Sequence, residues 1–262
     1  MTWKKTLGRV AFINCEPLFH GLNNSWNILP APPSWLTGHL LRRDCIIAPI
    51  PAADFAQYHE DLLLVPNIAI SSKGEVGSVL LFGKCEIEDM KTIALPSDSA
   101  TSVALLKHLL SLKEYRPKYV EMGPDLESML ESCDGCLLIG DRALEAAKND
   151  PELVRMDLGN EWKKSTDSPM VFGVFAARRD SSVADVKMAY EALIERLDAF
   201  ENNSEVRAEV IATSMEKTNQ SLERLERYFG EVINRMDSED MKGLTEFLSS
   251  VCHLNTKVEL AW

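Results

Sequence analysis

The feature that most constrains the fold of this chain is a repeated passage from a short apolar run, through a polar or proline-containing turn, into a helical segment. Residues 9–13, 45–48, 92–95 and 136–139 are such runs. Strands that alternate with helices are typical of a parallel sheet flanked by helices. The sequence therefore predicts an α/β fold with a parallel sheet.

Two further apolar runs, residues 79–82 and 171–176, separate one strand–helix series from the next. A chain that leaves one lobe along one strand and returns along another forms a double hinge. We therefore expect two lobes with a ligand cleft between them. Lobe one is predicted to combine residues 1–82 with residues 172–262, including a helical C-terminus, and lobe two to span residues 84–170.

Charge and hydropathy exclude several classes of protein. The net charge of −12 over 262 residues disfavours non-specific binding to nucleic acid. No apolar run is long enough to insert across a bilayer, and the apolar stretch near the N-terminus is too short for a secretory signal. We expect a cytoplasmic protein whose partner is a small molecule, and the sequence leaves its oligomeric state open.

The cysteines and histidines do not form a recognisable metal or redox motif. Of the six cysteines, Cys133 and Cys136 alone form a C-x-x-C pair, and an apolar strand follows them where a redox motif needs a helix. A zinc site needs a second ligand pair, which is not visible. We predict that these cysteines are buried packing residues, that there is no metal site and no cofactor, and that activity survives a chelator.

Polar side chains follow the predicted strands at the edge where open α/β sheets bind ligands. Asn14 is predicted to end the first strand just before Pro17 turns the chain, and its amide can both donate and accept hydrogen bonds. Thr101 and Ser102 are predicted to lie in the first turn of a helix, where free N–H groups and the helix dipole favour an anion. The alternative roles are a turn amide for Asn14 and helix capping near Thr101.

Further candidates for substrate binding lie in other turns. Ser34 is expected to cap the helix that follows it. Ser72 and Ser78 belong to a glycine-containing turn, which either holds an anion with backbone N–H groups or simply connects two strands. Gly140 and Asp141 follow the run at 136–139. For Asp141 we favour a helix cap over a role as an acid.

Taken in order, these motifs resemble the chorismate dehydratases of the futalosine route to menaquinone, which have the type II periplasmic-binding-protein fold. Residues 12–18 match the family motif Tyr-Leu-Asn-Thr-x-Pro-Leu. Further matches, over nearly the whole chain, are at residues 33–36, 44–49, 72–79, 99–106, 137–144, 157–162 and 169–172. Glu16 departs from the pattern, because the family often has arginine there, and an acidic side chain beside the pocket would repel an anion.

The resemblance implies that the protein removes water from chorismate to give 3-[(1-carboxyvinyl)oxy]benzoate. It implies that Asn14 holds the ring hydroxyl or the reacting carboxylate, that Ser72 and Ser78 line the cleft, and that Thr101 and Ser102 bind a carboxylate. The enolpyruvyl carboxylate of the substrate would act as the base. The alternatives are a non-catalytic small-anion-binding protein of the same fold and the sister 1,4-dihydroxy-6-naphthoate synthase, whose cysteine- and histidine-bearing first motif fits less well.

Overall fold

A computed structural model describes residues 2–262 of the chain, which form strands, α-helices and short 3₁₀ turns. The strands are β1 (Thr6–Val10), β2 (Asn27–Ala31), β3 (Ala48–Pro51), β4 (Leu62–Ser72), β5 (Val79–Gly83), β6 (Thr92–Pro96), β7 (Lys118–Met122), β8 (Gly135–Ile139), β9 (Val154–Asp157), β10 (Met170–Arg178) and β11 (Ile233–Arg235). The helices are α1 (Glu16–Phe19), α2 (Pro33–Leu41), α3 (Ala52–Gln57), α4 (Ala100–Leu112), α5 (Leu126–Ser132), α6 (Gly140–Asn149), α7 (Leu158–Thr166), α8 (Val183–Asn202), α9 (Ser204–Thr218), α10 (Leu222–Glu231) and α11 (Ser238–Ser250).

The described strands form three sheets. A four-stranded sheet has the order β11-β4-β10-β3, a five-stranded sheet has the order β7-β6-β8-β5-β9, and β1 pairs with β2 in parallel. The α/β class is confirmed, and β6 pairs in parallel with β7 and β8, but the larger sheets are not parallel throughout. β10 runs antiparallel to β3 and β4, and β5 runs antiparallel to β8 and β9. Each of these two strands follows an element of the other sheet. The rule that strands joined by a crossover within one sheet run parallel therefore does not apply to them.

The chain passes between the two larger sheets twice. It leaves the four-stranded sheet after β4 through residues 73–78, and it returns through α7 into β10. Because β5 pairs with β8 and β9, the change of sheet comes earlier in the chain than the expected boundary at residues 82–84. The division into two lobes at the expected boundaries stays a prediction.

The first crossing, residues 73–78, is held by the carboxylate of Asp157 at the end of β9. This side chain accepts hydrogen bonds from the backbone N–H groups of Val76, at 3.1 Å, and Gly77, at 2.8 Å. It also caps α7 by accepting from Asn160 N at 3.0 Å. Burial raises the pKa of Asp157 even though these three donors lower it. One carboxylate thus ties the crossing to the five-stranded sheet.

The first strand is shorter than expected. β1 ends at Val10 rather than at residue 13, and Ile13–Cys15 forms a 3₁₀ turn that leads into α1. The apolar run at 45–48 is also shifted. Its first part lies beside β1, where Gly8 N donates to Ile47 O at 2.8 Å, and β3 begins only at Ala48. The apolar runs were therefore correctly placed in the core but began or ended a few residues from the strands.

The predicted helical C-terminus is confirmed by α8, α9, α10 and α11. One part of the C-terminal region is not helical, because α10 ends at Glu231. β11 follows and pairs antiparallel with β4. The adjacent β-branched residues Val232 and Ile233 favour a strand, and the edge of β4 offers it a partner. Over residues 2–262, no helix has both the length and the apolar character needed to cross a membrane.

The Cys133–Cys136 pair is buried, as expected from the sequence, while Cys85 and Cys252 are only partly buried. All six cysteines are free. Burial raises the pKa of the Cys136 thiol to about 12, so it is a packing residue rather than a reactive thiolate. Among residues 2–262, no three His, Cys, Asp or Glu side chains are grouped as a metal site requires.

Candidate functional site

The candidate site is a cavity of about 60 Å³ where the two larger sheets approach each other. Apolar side chains from β3, β4 and β10 line one side, and residues from β5, β8 and the start of α4 line the other. Polar side chains occur at only a few places on its wall: Asn14, Ser78, Ser99, Thr101 and Ser102. A mostly apolar wall with few polar groups suits a small organic molecule that is held in one orientation.

Asn14 lines this cavity from the 3₁₀ turn Ile13–Cys15. The prediction that it ends the first strand is wrong, since β1 stops at Val10. Its side chain is nevertheless buried, and its Oδ1 has no hydrogen-bond partner within the described chain. A buried polar oxygen without a partner is costly. The amide is therefore placed to accept a hydrogen bond from a ligand.

The N-terminus of α4 faces the same cavity. Thr101 and Ser102 lie in its first turn, as predicted, and both line the cavity. Ser99 is the N-cap residue, but its side chain makes no capping hydrogen bond. Thr101 does not cap its own helix either, because its Oγ1 accepts a hydrogen bond from Ala53 N of α3 at 3.1 Å. The first turn of α4 thus keeps N–H groups that can bind an anion.

Ser78 lines the cavity at the end of the first crossing. Its Oγ accepts a hydrogen bond from the Tyr228 hydroxyl at 3.1 Å and donates to Val76 O at 3.4 Å. Tyr228 is fully buried on α10, and desolvation raises the pKa of its hydroxyl. Tyr228 is not identifiable as a site residue from the sequence, because an aromatic residue in an amphipathic helix indicates only core packing.

Gly140 brings the start of α6 against the cavity, as its place after β8 predicted. It has a φ of +62°, and a Cβ at this position would lie 2.4 Å from the Phe12 ring. Its N–H donates to Ser78 O at 2.7 Å. Behind Phe12, the Arg142 guanidinium lies 5.4 Å from the ring centroid and pairs with Asp98 at 2.7 Å. Glycine is required here because the backbone and an aromatic ring share the space.

Three predicted substrate-binding residues do not line the cavity. Ser34 lies in the first turn of α2, whose N-cap is Pro32, so the predicted cap is wrong. Ser72 is buried and donates to Gly74 O at 3.1 Å, which shapes the crossing. Asp141 is not among the residues that line the cavity. The structure thus brings together Asn14, Ser78, Thr101, Ser102 and Gly140, and leaves the other three outside.

Asp141 instead forms a hydrogen bond with the turn that carries Asn14. Its Oδ1 accepts a hydrogen bond from Ile13 N at 3.0 Å. The N-cap of α6 is Ile139, so the predicted capping role of Asp141 is wrong. Burial raises the pKa of Asp141 to about 6; the bond from Ile13 N lowers it, and the nearby Glu16 carboxylate raises it.

Glu16 is buried outside the cavity lining, and its charge is paired. Its Oε1 accepts hydrogen bonds from both the Arg9 guanidinium and the Lys217 ammonium. These two cations compensate the negative charge of Glu16, and so they oppose the expected repulsion of an anion. The residues lining the cavity in the described chain include no side chain that is charged at neutral pH.

The family model described as menaquinone biosynthesis matches residues 5–252. The chain belongs to this family. It is similar to the chorismate dehydratase of Thermus thermophilus, with 34% identity over 191 residues, which cover 67% of this chain and 70% of the relative.

Solved structures agree on the fold. A Candida albicans protein described as having the generic periplasmic-binding-protein fold aligns with a TM-score of 0.67 and 13% identity, covering 96% of this chain and 91% of that one. The alkanesulfonate-binding protein of Xanthomonas axonopodis pv. citri, bound to MOPS, aligns with a TM-score of 0.66 and 16% identity, covering 98% and 95%. The periplasmic-binding-protein fold expected for this chain is confirmed.

Proposed function

We propose that this member of the menaquinone biosynthesis family is a chorismate dehydratase, a hydro-lyase that converts chorismate into 3-[(1-carboxyvinyl)oxy]benzoate and water. Family membership and the relative in Thermus thermophilus support the activity. The observation that best supports the site is the buried, unpartnered Oδ1 of Asn14 on the wall of a cavity that also receives the start of α4. We further propose that it acts in the futalosine route and in the cytoplasm, as the resemblance implies.

The chemistry fits the polar groups available. The ring carbon that bears the enol ether loses its proton, hydroxide leaves the neighbouring carbon, and the ring becomes aromatic. The ring hydroxyl is the one hydrogen-bond donor of the chorismate dianion, and Asn14 Oδ1 is a free acceptor. Asn14 would therefore hold the group that departs, while its NH₂ group can donate to a carboxylate.

The base would come from the substrate. None of the residues lining the cavity in the described chain is Asp, Glu, His or Lys, so the wall offers no ordinary general base. The enolpyruvyl carboxylate of chorismate would take the ring proton, and hydroxide would then leave with that proton as water. The protein's contribution is orientation and electrostatic stabilisation in an enclosed site.

A substrate carboxylate would bind at the start of α4. The N–H groups of the first turn and the hydroxyls of Thr101 and Ser102 face the cavity, and the helix dipole favours a negative charge there. The apolar wall lowers the local dielectric and so strengthens these hydrogen bonds. Ser78 and Gly140 complete the proposed contacts. Ser72 and Asp141 would act on the substrate only indirectly, and Ser34 has no proposed role.

The test is to incubate the purified protein with chorismate, in the presence of a chelator, and to detect the aromatic enol ether by chromatography and mass spectrometry. We expect turnover. For Asn14→Asp we expect kcat to fall by about 10²–10³-fold, the effect of losing one preorganised donor, with added repulsion of the dianion. Asn14→Ala should lose turnover with little change in melting temperature, because Oδ1 has no protein partner to lose.

Ser34→Ala is a matched control. Ser34 was predicted from the sequence to bind substrate, but it does not line the cavity. Near wild-type turnover by Asn14→Asp would refute the catalytic assignment. Tight binding of chorismate without loss of water would support the binding-protein alternative, and turnover of a different substrate without loss of chorismate would favour the sister naphthoate synthase.

A further inference from the structure

The turn that carries Asn14 is bonded at both ends to side chains from distant parts of the chain. Ile13 N donates to Asp141 Oδ1 at 3.0 Å. Asn234 Nδ2 donates to the backbone oxygen of Asn14 at 3.2 Å and to Ala69 O at 3.4 Å. The proposed catalytic amide thus lies between an acceptor on α6 and a donor on β11.

We infer that Asp141 and Asn234 are positioning residues that fix the Asn14 side chain in the cavity, and that the Asp141 bond makes this placement depend on the docking of α6 against the turn. The inference rests on the proposed function for its kinetic readout. It assigns both residues an effect on turnover through Asn14, without contact with the substrate.

A three-residue 3₁₀ turn needs such support. Short 3₁₀ segments have poor hydrogen-bond geometry and little stability of their own. Ile13–Cys15 also makes no side-chain capping hydrogen bond at its N-cap, Phe12. The direction in which Asn14 projects is therefore set by the groups that bond the turn's backbone.

Asp141 connects two parts of the molecule that follow different strands. It lies in the first turn of α6, which follows β8 of the five-stranded sheet, whereas the Asn14 turn follows β1. Its bond to Ile13 N forms only when these parts are together. Direct acid catalysis by Asp141 fits the geometry less well, since its Oδ1 is engaged and the residue does not line the cavity.

Asn234 fixes the other end of the turn to the four-stranded sheet. It is buried, and its NH₂ group bridges the turn and β4, which carries Ala69. An apolar side chain cannot replace this amide, because both backbone oxygens would then lose their hydrogen-bond donor. Asn234 therefore holds the turn against the sheet that forms one wall of the cavity.

The kinetic test compares Asp141→Ala and Asn234→Ala with matched controls. Asp134→Ala removes a carboxylate that accepts from the backbone N–H of Thr92, and Thr37→Ala removes a buried hydroxyl that donates to Asp54 Oδ2 at 2.6 Å. We expect kcat on chorismate to fall by about 10²-fold in each test variant, the effect of a misplaced catalytic group, with little change in KM. Asp141→Asn keeps an acceptor and should recover most of this loss.

A second readout does not depend on activity. Hydrogen–deuterium exchange of the peptide covering residues 11–18 should become faster in Asp141→Ala and Asn234→Ala but not in Asp134→Ala or Thr37→Ala. Unchanged exchange, or a kcat no lower than in the controls, would overturn the inference. If the wild-type protein fails to dehydrate chorismate, the proposed function fails while the exchange experiment still decides the positioning. If Asp141→Ala does not fold, Asn234→Ala decides it.

Discussion

Thr101 and Ser102 are neighbours in the first turn of α4, but their hydroxyl groups have different partners. Thr101 Oγ1 accepts a hydrogen bond from Ala53 N, whereas Ser102 lines the cavity beside it. Thr101 should therefore contribute to stability as well as to substrate binding, and Ser102 to substrate binding alone.

For Ser102→Ala we expect a rise in KM with an unchanged melting temperature. A hydrogen bond to a charged group contributes about 1.5–3 kcal/mol, so the rise should be at least about tenfold. For Thr101→Val we expect a loss of about 1–3 kcal/mol in unfolding free energy, because the N–H of Ala53 loses its acceptor. Steady-state kinetics and urea unfolding measure the two effects. Equal behaviour of the two variants would contradict the division of roles.

Asp141 should make the stability of the protein depend on pH. Its pKa is raised from 3.8 to about 6 in the folded chain, chiefly by burial, so the folded chain holds this proton more tightly than the unfolded chain. The stabilisation by protonation is complete below about pH 4 and is lost as the pH rises through 6. Relative to Asp141→Asn, the wild-type protein should lose about 1–2 kcal/mol across this window, allowing for solvent screening.

Urea unfolding at a series of pH values measures this difference. Asp125→Asn is a control of opposite sign, since the bonds from Ser128 lower the pKa of the exposed Asp125 carboxylate. Its contribution to stability is present above the unfolded pKa and is lost as the pH falls. A difference between the wild type and Asp141→Asn that stays constant from pH 4 to 7 would contradict the shift at Asp141.

Single residues show what sequence can and cannot predict at a site. Asn14 and Thr101 are identifiable because they follow apolar runs within motifs of fixed spacing, and both line the cavity. Tyr228 and Asn234 are not, because nothing in their neighbourhoods distinguishes them from core-facing residues of a helix or strand. Their roles arise from hydrogen bonds to residues 150 and 220 positions away in the chain, which only the folded structure defines.

At the scale of an element, the N-caps of α5 and α7 allow a comparison of two aspartates. Asp125 caps α5 by accepting from Ser128 N at 2.9 Å. Asp157 caps α7 in the same way and also accepts from Val76 N and Gly77 N in the first crossing. Removal of Asp157 should therefore affect two elements, and removal of Asp125 only one.

We expect Asp157→Ala to lower the unfolding free energy by about 2–4 kcal/mol, the sum of a lost cap and backbone donors left without an acceptor. Asp125→Ala should cost less, because it removes one ordinary cap at an exposed position. Denaturant unfolding gives both values, and exchange of the peptide over residues 73–78 should accelerate only in Asp157→Ala. A smaller loss for Asp157→Ala than for Asp125→Ala would show that the crossing does not depend on this carboxylate.

Elements were predictable where the apolar pattern was strong and local. The core strands β5, β6 and β8 agree with their apolar runs to within about two residues, the usual precision of such boundaries. β11 was missed because its pattern is compatible with either period, and its state is decided by pairing with β4. The antiparallel direction of β5 and β10 was not predictable for a related reason, since it depends on which sheet the chain enters and not on the composition of the strand.

At the scale of the whole molecule, the cavity lies between residues contributed by the two larger sheets, and hydrogen bonds cross beside it. Ala53 N to Thr101 and Ile13 N to Asp141 both join the side of β1 and β3 to the side of the five-stranded sheet. The periplasmic-binding-protein fold places ligands between two lobes. If the proposed lobes move, these two bonds form on closure and break on opening.

Closure should therefore be measurable and should respond to these two side chains. Small-angle scattering of the wild-type protein should give a smaller radius of gyration at saturating product than without it, because a ligand that touches both lobes favours the closed form. A Thr101→Val, Asp141→Ala double variant lacks both crossing bonds, so the radius of gyration of the free protein should be larger than that of the free wild type. Asp125→Ala should give the wild-type value. If the radius of gyration is the same in all free forms and does not respond to product, the cleft is rigid. Asn14 would then be held in place at all times, with closure contributing nothing to its position.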